Sequence, residues 1–117
     1  MKAIITGGGT GGHIYPAIAI ADEIKKREPE SEILYIGNEI GLEKDIVPRS
    51  GYDIRFVSAK WIDRRNIFKI ADTGFHTLRG IVQAHRIVKK FKPEVVLGTG
   101  GYVCFPVISA KDRKSVV

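Results

Sequence analysis

The sequence predicts an α/β fold, a parallel sheet with helices on both faces, in a single domain spanning residues 1–117. Three observations lead there. Short β-rich runs alternate along the chain with stretches of helical periodicity. Two of those runs, Ile33–Ile36 and Val95–Leu97, are apolar at every position, as strands covered on both faces are. Glycine-rich turns follow the first and fourth runs, and in open parallel sheets the ends of the strands are where ligands sit.

The elements follow in order. Lys2–Thr6 is the first strand and stops at Gly7. Ile14, Ala17, Ile18, Ala21 and Ile24 then recur at spacings of three and four, the apolar stripe of a helix. Pro16 fits only a first turn, which places the helix start near Gly12 or His13, and Pro29 lies just past its end. Ile33–Ile36 is the second strand. Leu42, Ile46 and Val47 predict a short helix ending at Pro48. Ile54 and Phe56 alternate with Asp53 and Arg55, the pattern of an edge strand with one wetter face. Phe75, Leu78, Val82, His85, Val88 and Phe91 predict a long helix closed by Pro93. Val95–Leu97 is the fourth strand, and residues 105–110 could begin another helix. Right-handed crossovers give the spatial order third, second, first, fourth, with a ligand crevice between the first and fourth strands.

Composition narrows the function. The 117 residues are 44% hydrophobic and 27% charged, which excludes a disordered chain. Cys104 stands alone, which excludes an intramolecular disulfide or a cysteine-rich zinc site. No apolar run approaches the ~20 residues that span a bilayer. The N-terminus turns glycine-rich too early for a signal-peptide core, so a cytoplasmic location is expected. A net charge of +6 favours phosphorylated ligands, nucleic acid or an anionic membrane surface, and does not choose among them.

Gly7-Gly8-Gly9-Thr10-Gly11-Gly12-His13 and Gly98-Thr99-Gly100-Gly101-Tyr102 are the motifs that carry chemistry. Glycine lets the backbone approach a ligand closely, and a following helix start offers N–H groups and a positive dipole end to phosphate. Opening into one crevice, the two turns would form a floor for a phosphate or pyrophosphate; separately, either could be only a tight connection. Gly7, Gly9 and Gly12 also fit the G-x-G-x-x-G dinucleotide fingerprint, with Glu39 past the second strand where a ribose-binding carboxylate would sit. An NAD(P)- or FAD-dependent oxidoreductase domain is therefore a competing reading. That fingerprint leaves the second loop unexplained. A P-loop ATPase is excluded because G-K-[ST] is absent.

Gly8-Gly9-Thr10-Gly11-Gly12-His13-Ile14-Tyr15-Pro16-Ala17 resembles the G-G-T-G-G-H-x-x-P loop of the MurG family of peptidoglycan N-acetylglucosaminyltransferases, glycosyltransferase family 28. Lys92–Val103 resembles that family's second glycine loop, and Gly41, Glu43, Val47, Pro48 and Gly51 match its G-x-E…V-P…G segment. Three motifs in order, over about residues 2–110, make the likeness specific. It implies a GT-B fold, two Rossmann-like domains with the active site between them. It also implies inverting transfer of N-acetylglucosamine from UDP-GlcNAc to the undecaprenyl-diphosphate-linked muramyl acceptor lipid I, giving lipid II at the inner face of the cell membrane. The family requires no metal or other cofactor, and this chain carries no D-x-D motif.

By this likeness Thr10, Gly11 and Gly12 match positions that contact the UDP-sugar, and Gly100, Gly101 and Tyr102 the loop that helps hold the lipid-linked pyrophosphate. An acceptor hydroxyl must lose its proton as it attacks, and a neutral imidazole suits that near pH 7, so His13 is the candidate general base. The alternative is that His13 orients the loop through a hydrogen bond. His76 and His85 fall in the long helix, with surface or core roles.

Lys60–Lys69 mixes apolar and basic side chains, a composition suited to the interface of an anionic membrane. The family has an apolar patch rimmed by basic residues here. Trp61, Ile62, Ile67 and Phe68, with Arg64, Arg65 and Lys69, are its expected counterparts, unless the apolar residues fold inward. A nucleic-acid partner is not expected, because no binding-module motif is present. The family continues with another strand, an H-E-Q-N segment and a C-terminal donor domain, from which Ser109–Val117 departs. The expectation is therefore the acceptor-side half: an isolated domain, a shortened gene product or one subunit of a split transferase, the last with a non-catalytic, acceptor- or membrane-docking role as the alternative reading. Its C-terminal partner would be supplied in trans if at all, and the chain alone would be inactive. Unless Ser115–Val117 pairs with it, the fourth strand would expose an edge.

Overall fold

The computed structural model describes residues 1–8, 11–57, 67–100 and 115–116, of which 67–77 and 115–116 are described as backbone only. The strands are β1 (Lys2–Thr6), β2 (Glu32–Gly37), β3 (Asp53–Phe56), β4 (Val95–Gly98) and β5 (Ser115–Val116). The helices are α1 (Gly11–Arg27), α2 (Glu43–Arg49) and α3 (Ile67–Phe91). All strand pairings are parallel and the order is β3-β2-β1-β4-β5. The predicted order of the first four strands is observed. Ser115 and Val116 lie opposite Val96 and Leu97, so the pairing that would cover the β4 edge is present.

Alternation along β1 decides which face each residue serves. Ile5 packs with Ile33 and Tyr35 against Ile14, Ala17, Ile18 and Ala21 of α1 and Val47 of α2. Ile4 packs with Leu34, Ile36 and Val96 against Ala84 and Val88 of α3. The sheet thus has a core on each face. Full burial of each large aliphatic side chain contributes about 1.5–3 kcal/mol.

The expected stripe of α1 holds, with Ile24 half-buried. The helix begins at Gly11, slightly earlier than Pro16 suggested, so the proline sits inside it. The α2 prediction needs a correction. Leu42 is 52% exposed, and the buried positions of that turn are Glu43 and Val47, one i,i+4 face. Pro48 lies within the helix, which ends at Arg49. The stripe predicted for α3 is also corrected. Leu78 and Val82 are 66% and 53% exposed and His85 is exposed, whereas Ala84 and Val88 are buried and Ile87 and Phe91 pack beside them. Val88 and Phe91 of the predicted stripe do face the core, whereas Leu78, Val82 and His85 do not; apolar side chains spaced three and four apart can outline more than one face of a long helix. The helix also starts at Ile67, well before Phe75. The segment at 105–110 lies outside the described residues.

Candidate functional site

The carboxyl ends of β1, β2 and β4 and the start of α1 converge on one corner of the sheet. The ladder between β1 and β4 runs one step past the strands: the Thr99 amide donates to the Thr6 carbonyl at 3.0 Å. That step holds the beginning of the second glycine loop against the end of the first strand. The Thr99 hydroxyl donates to the His13 carbonyl at 2.6 Å, and the His13 Nδ1 lies 3.3 Å from the Thr99 carbonyl. Residues 86 positions apart in sequence are thus joined at both ends of one histidine. The two loops share a site.

Glycine is required at two places in this corner. A Cβ on Gly7 would overlap the Thr99 hydroxyl and stand 3.0 Å from the His13 carbonyl. Gly100 has φ +115°, a region that disfavours side chains, and a Cβ there would stand 2.9 Å from His13 Nδ1 and 3.0 Å from Cε1. The imidazole therefore lies on the bare backbone of the second loop. Beneath the first loop, the buried Tyr35 hydroxyl donates to the Gly7 carbonyl, and Thr6 Oγ1 donates to the Ile36 carbonyl at 2.8 Å. The strand ends are thereby tied side to side as well as along the ladder.

Gly11 and Gly12 open α1, Gly12 exposed and Gly11 half-exposed. The first turn of α1 carries no acidic side chain to offset its positive end, the setting that attracts phosphate. His13 is the third residue of that turn and half-buried. Of the sequence-predicted site residues, the fold brings Gly11, Gly12, His13 and Gly100 together. Thr10, Gly101, Tyr102, Trp61, Ile62, Arg64 and Arg65 lie outside the described residues. Ile67, Phe68 and Lys69 form the backbone of the first turn of α3.

A second polar knot lies at the end of β2 and was not assigned a role from sequence. The fully buried Glu43 carboxylate accepts the Asn38 amide at 2.7 Å, and a Cβ on Gly37 or Gly41 would overlap the Glu43 side chain. Asn38 accepts the Ile40 amide at 2.8 Å and donates to the Val57 carbonyl at 3.3 Å. The Gly41-Leu42-Glu43 spacing was its signal: a glycine two residues before a glutamate at a helix start leaves room for the carboxylate to fold back. Glu39, the carboxylate that the dinucleotide alternative needs, is exposed in the same loop. Among the described residues no group of His, Cys, Asp and Glu is arranged to hold a metal ion, and no helix is long and apolar enough to cross a membrane.

Comparison with known proteins is consistent across sequence and structure. Residues 3–116 match the glycosyltransferase family 28 N-terminal domain. The chain is 49% identical over 116 residues to the UDP-N-acetylglucosamine--N-acetylmuramyl-(pentapeptide) pyrophosphoryl-undecaprenol N-acetylglucosamine transferase of Alkaliphilus oremlandii strain OhILAs, covering 99% of this chain and 32% of that one. The transferase of the same description from Clostridioides difficile strain 630 is 46% identical over 108 residues, 92% of this chain and 26% of its own length. The crystal structure of Acinetobacter baumannii MurG superposes with a TM-score of 0.78 at 27% identity, covering 93% of this chain and 31% of that one. The chain spans about a third of the length of the relatives it matches.

Proposed function

Because the chain belongs to the glycosyltransferase family 28 N-terminal domain family, we propose that it is the acceptor-side domain of an inverting N-acetylglucosaminyltransferase. The complete enzyme moves GlcNAc from UDP-GlcNAc to undecaprenyl-diphosphate-linked MurNAc-pentapeptide, the lipid I to lipid II step of peptidoglycan synthesis. The observation that carries this reading is the junction of the two glycine loops at His13, beside the open N-terminus of α1. It supports a floor of backbone N–H groups for a diphosphate with an imidazole at its rim. In this reading Thr10, Gly11 and Gly12 face the UDP-sugar, and Gly100, Gly101 and Tyr102 help hold the acceptor's diphosphate. His13 removes the proton of the attacking hydroxyl.

The donor domain is supplied by the rest of a longer chain or by a partner, and this chain alone turns over little or nothing. The protein works on the inner face of the bacterial cell membrane. Trp61, Ile62, Ile67 and Phe68 enter the headgroup region there, and Arg64, Arg65 and Lys69 pair with anionic lipid.

The test is a chimera in which this chain replaces the N-terminal third of the Alkaliphilus relative. GlcNAc transfer to lipid I by the chimera, and none by the chain alone, is the expected result. His13→Ala in the chimera should lower kcat by roughly 10²–10⁴-fold, the usual contribution of a positioned base. A folded chimera without transfer, or a His13→Ala chimera at full rate, would overturn the assignment at the level of the domain or of the base respectively. Vesicle flotation tests the membrane surface: Trp61→Ala/Phe68→Ala must bind anionic vesicles more weakly than wild type.

A further inference from the structure

We infer that Thr99 is the positioning residue for His13, holding the imidazole in the Nδ1–H tautomer so that Nε2 carries the lone pair. The inference rests on His13 acting as the base and names what sets its proton.

The Thr99 carbonyl stands 3.3 Å from Nδ1. A carbonyl oxygen has no proton to give, so the contact is attractive only when Nδ1 carries one; otherwise two lone pairs face each other. A neutral ring protonated at Nδ1 has its basic site at Nε2, on the other edge of the imidazole. Free neutral histidine favours the opposite tautomer, so the fold must impose this one.

Thr99 can impose it because each of its polar groups is committed. Its amide donates to the Thr6 carbonyl at 3.0 Å, anchoring the residue to the end of β1. Its hydroxyl donates to the His13 carbonyl at 2.6 Å, with the Thr6 carbonyl more distant at 3.4 Å. That bond fixes the backbone from which the imidazole projects, while the Thr99 carbonyl meets the ring itself. Both ends of His13 are held by one residue, itself held by the central strand. The absence of a Cβ on Gly7 makes room for the hydroxyl, and its absence on Gly100 makes room for the ring.

The measurement is a long-range ¹H–¹⁵N correlation spectrum of the ¹⁵N-labelled full chain at a pH where the ring is neutral, with His13 assigned against a His13→Gln sample. A protonated Nδ1 and a downfield, unprotonated Nε2 are expected; Nε2–H as the major form overturns the proposal. Thr99→Ala removes the hydroxyl and keeps the carbonyl, and should move both ring nitrogens toward tautomer-averaged shifts. Thr99→Ser should restore the wild-type pattern. An alanine variant with an unchanged His13 pattern overturns the hydroxyl's part. If Thr99→Ala does not fold, the wild-type spectrum still decides the tautomer. No turnover is needed, so the two readings fail separately. Full-rate transfer by His13→Ala ends the base reading and leaves the tautomer standing, whereas an Nε2–H spectrum ends the Thr99 proposal and leaves the base reading open.

Discussion

The two ends of this parallel sheet are fastened by different chemistry. At the amino end the ion pairs are between charges still in water. The Met1 ammonium lies 3.3 Å from Glu28 and Lys2 Nζ 3.4 Å from Glu32, with Lys2 also 4.8 Å above the Phe91 ring. A shallow cavity of about 300 Å³ opens there, lined by residues that include Lys25, Ser31, Tyr52 and Phe91. At the carboxyl end the contacts are buried and mostly neutral: Thr6, Tyr35, Asn38 and Glu43 bond to backbone groups, with Gly37 and Gly41 leaving room for Glu43. Exposed pairs are screened and replaceable, whereas a buried donor that loses its acceptor bears the full desolvation penalty. Among the described residues, these buried bonds lie at the end of the sheet where the ligand is proposed to bind.

The largest expected effect tests that contrast directly. Glu43→Ala leaves the Asn38 amide without its carboxylate and empties a fully buried site, and should lower stability by about 3 kcal/mol. The urea midpoint should fall with an unchanged slope. A loss below ~0.5 kcal/mol would put the carboxyl end on the footing of a surface pair. Next comes Gly7→Ala, whose new methyl overlaps the Thr99 hydroxyl; about 2 kcal/mol is expected, as for overpacking elsewhere. Adding Thr99→Ala to Gly7→Ala should cost less than the separate losses combined, and strict additivity would show that the hydroxyl is not the obstacle.

At the amino end the effects should be smaller. The Tyr52 hydroxyl donates to Asp22 at 2.5 Å, and its pKa is pushed from 10.0 up to about 12, by burial first and then by the hydrogen bond and charge of Asp22. The protonated phenol is the form that the fold favours. Its contribution is therefore complete below pH 10.0 and lost as pH rises through about 12. The gap in urea midpoint between wild type and Tyr52→Phe should close over that window, and a gap constant from pH 9 to 12 would contradict the pairing. Smallest of all, Glu23→Ala removes an exposed i,i+4 partner 2.9 Å from Arg27 and should change stability by no more than ~0.5 kcal/mol.

Much of this was legible in the sequence, for identifiable reasons. Continuous apolar runs marked β2 and β4 because both sheet faces are covered, and strand–helix alternation fixed the spatial order of β1 to β4. The glycines of both loops were visible, and so was their meeting at the switch point. What pattern could not supply was the contact that makes glycine necessary. Thr99 reads as an ordinary loop residue until its hydroxyl is seen on the His13 carbonyl. Tyr35 counted as one more apolar strand position, although its hydroxyl supports Gly7. Hydrophobicity is the signal periodicity reads, so it points to Leu42 as well as to the buried Val47, whereas the neighbouring buried position is a carboxylate that accepts the Asn38 amide. On α3, exposed Leu78 and Val82 fit the helical period as well as the buried Val88 does, and the buried Ala84 is too small for the period to single out.

The bond between Thr6 and Thr99 closes a stretch of 93 residues. Every pairing among the described strands is parallel, so none of them closes as a local hairpin, and β1 gains its second neighbour only after a long loop has closed. In refolding, the β1–β2–β3 side should consolidate ahead of the seam between β1 and β4. Secondary structure would then return before the corner proposed to hold a diphosphate, because that corner joins residues 86 to 93 positions apart.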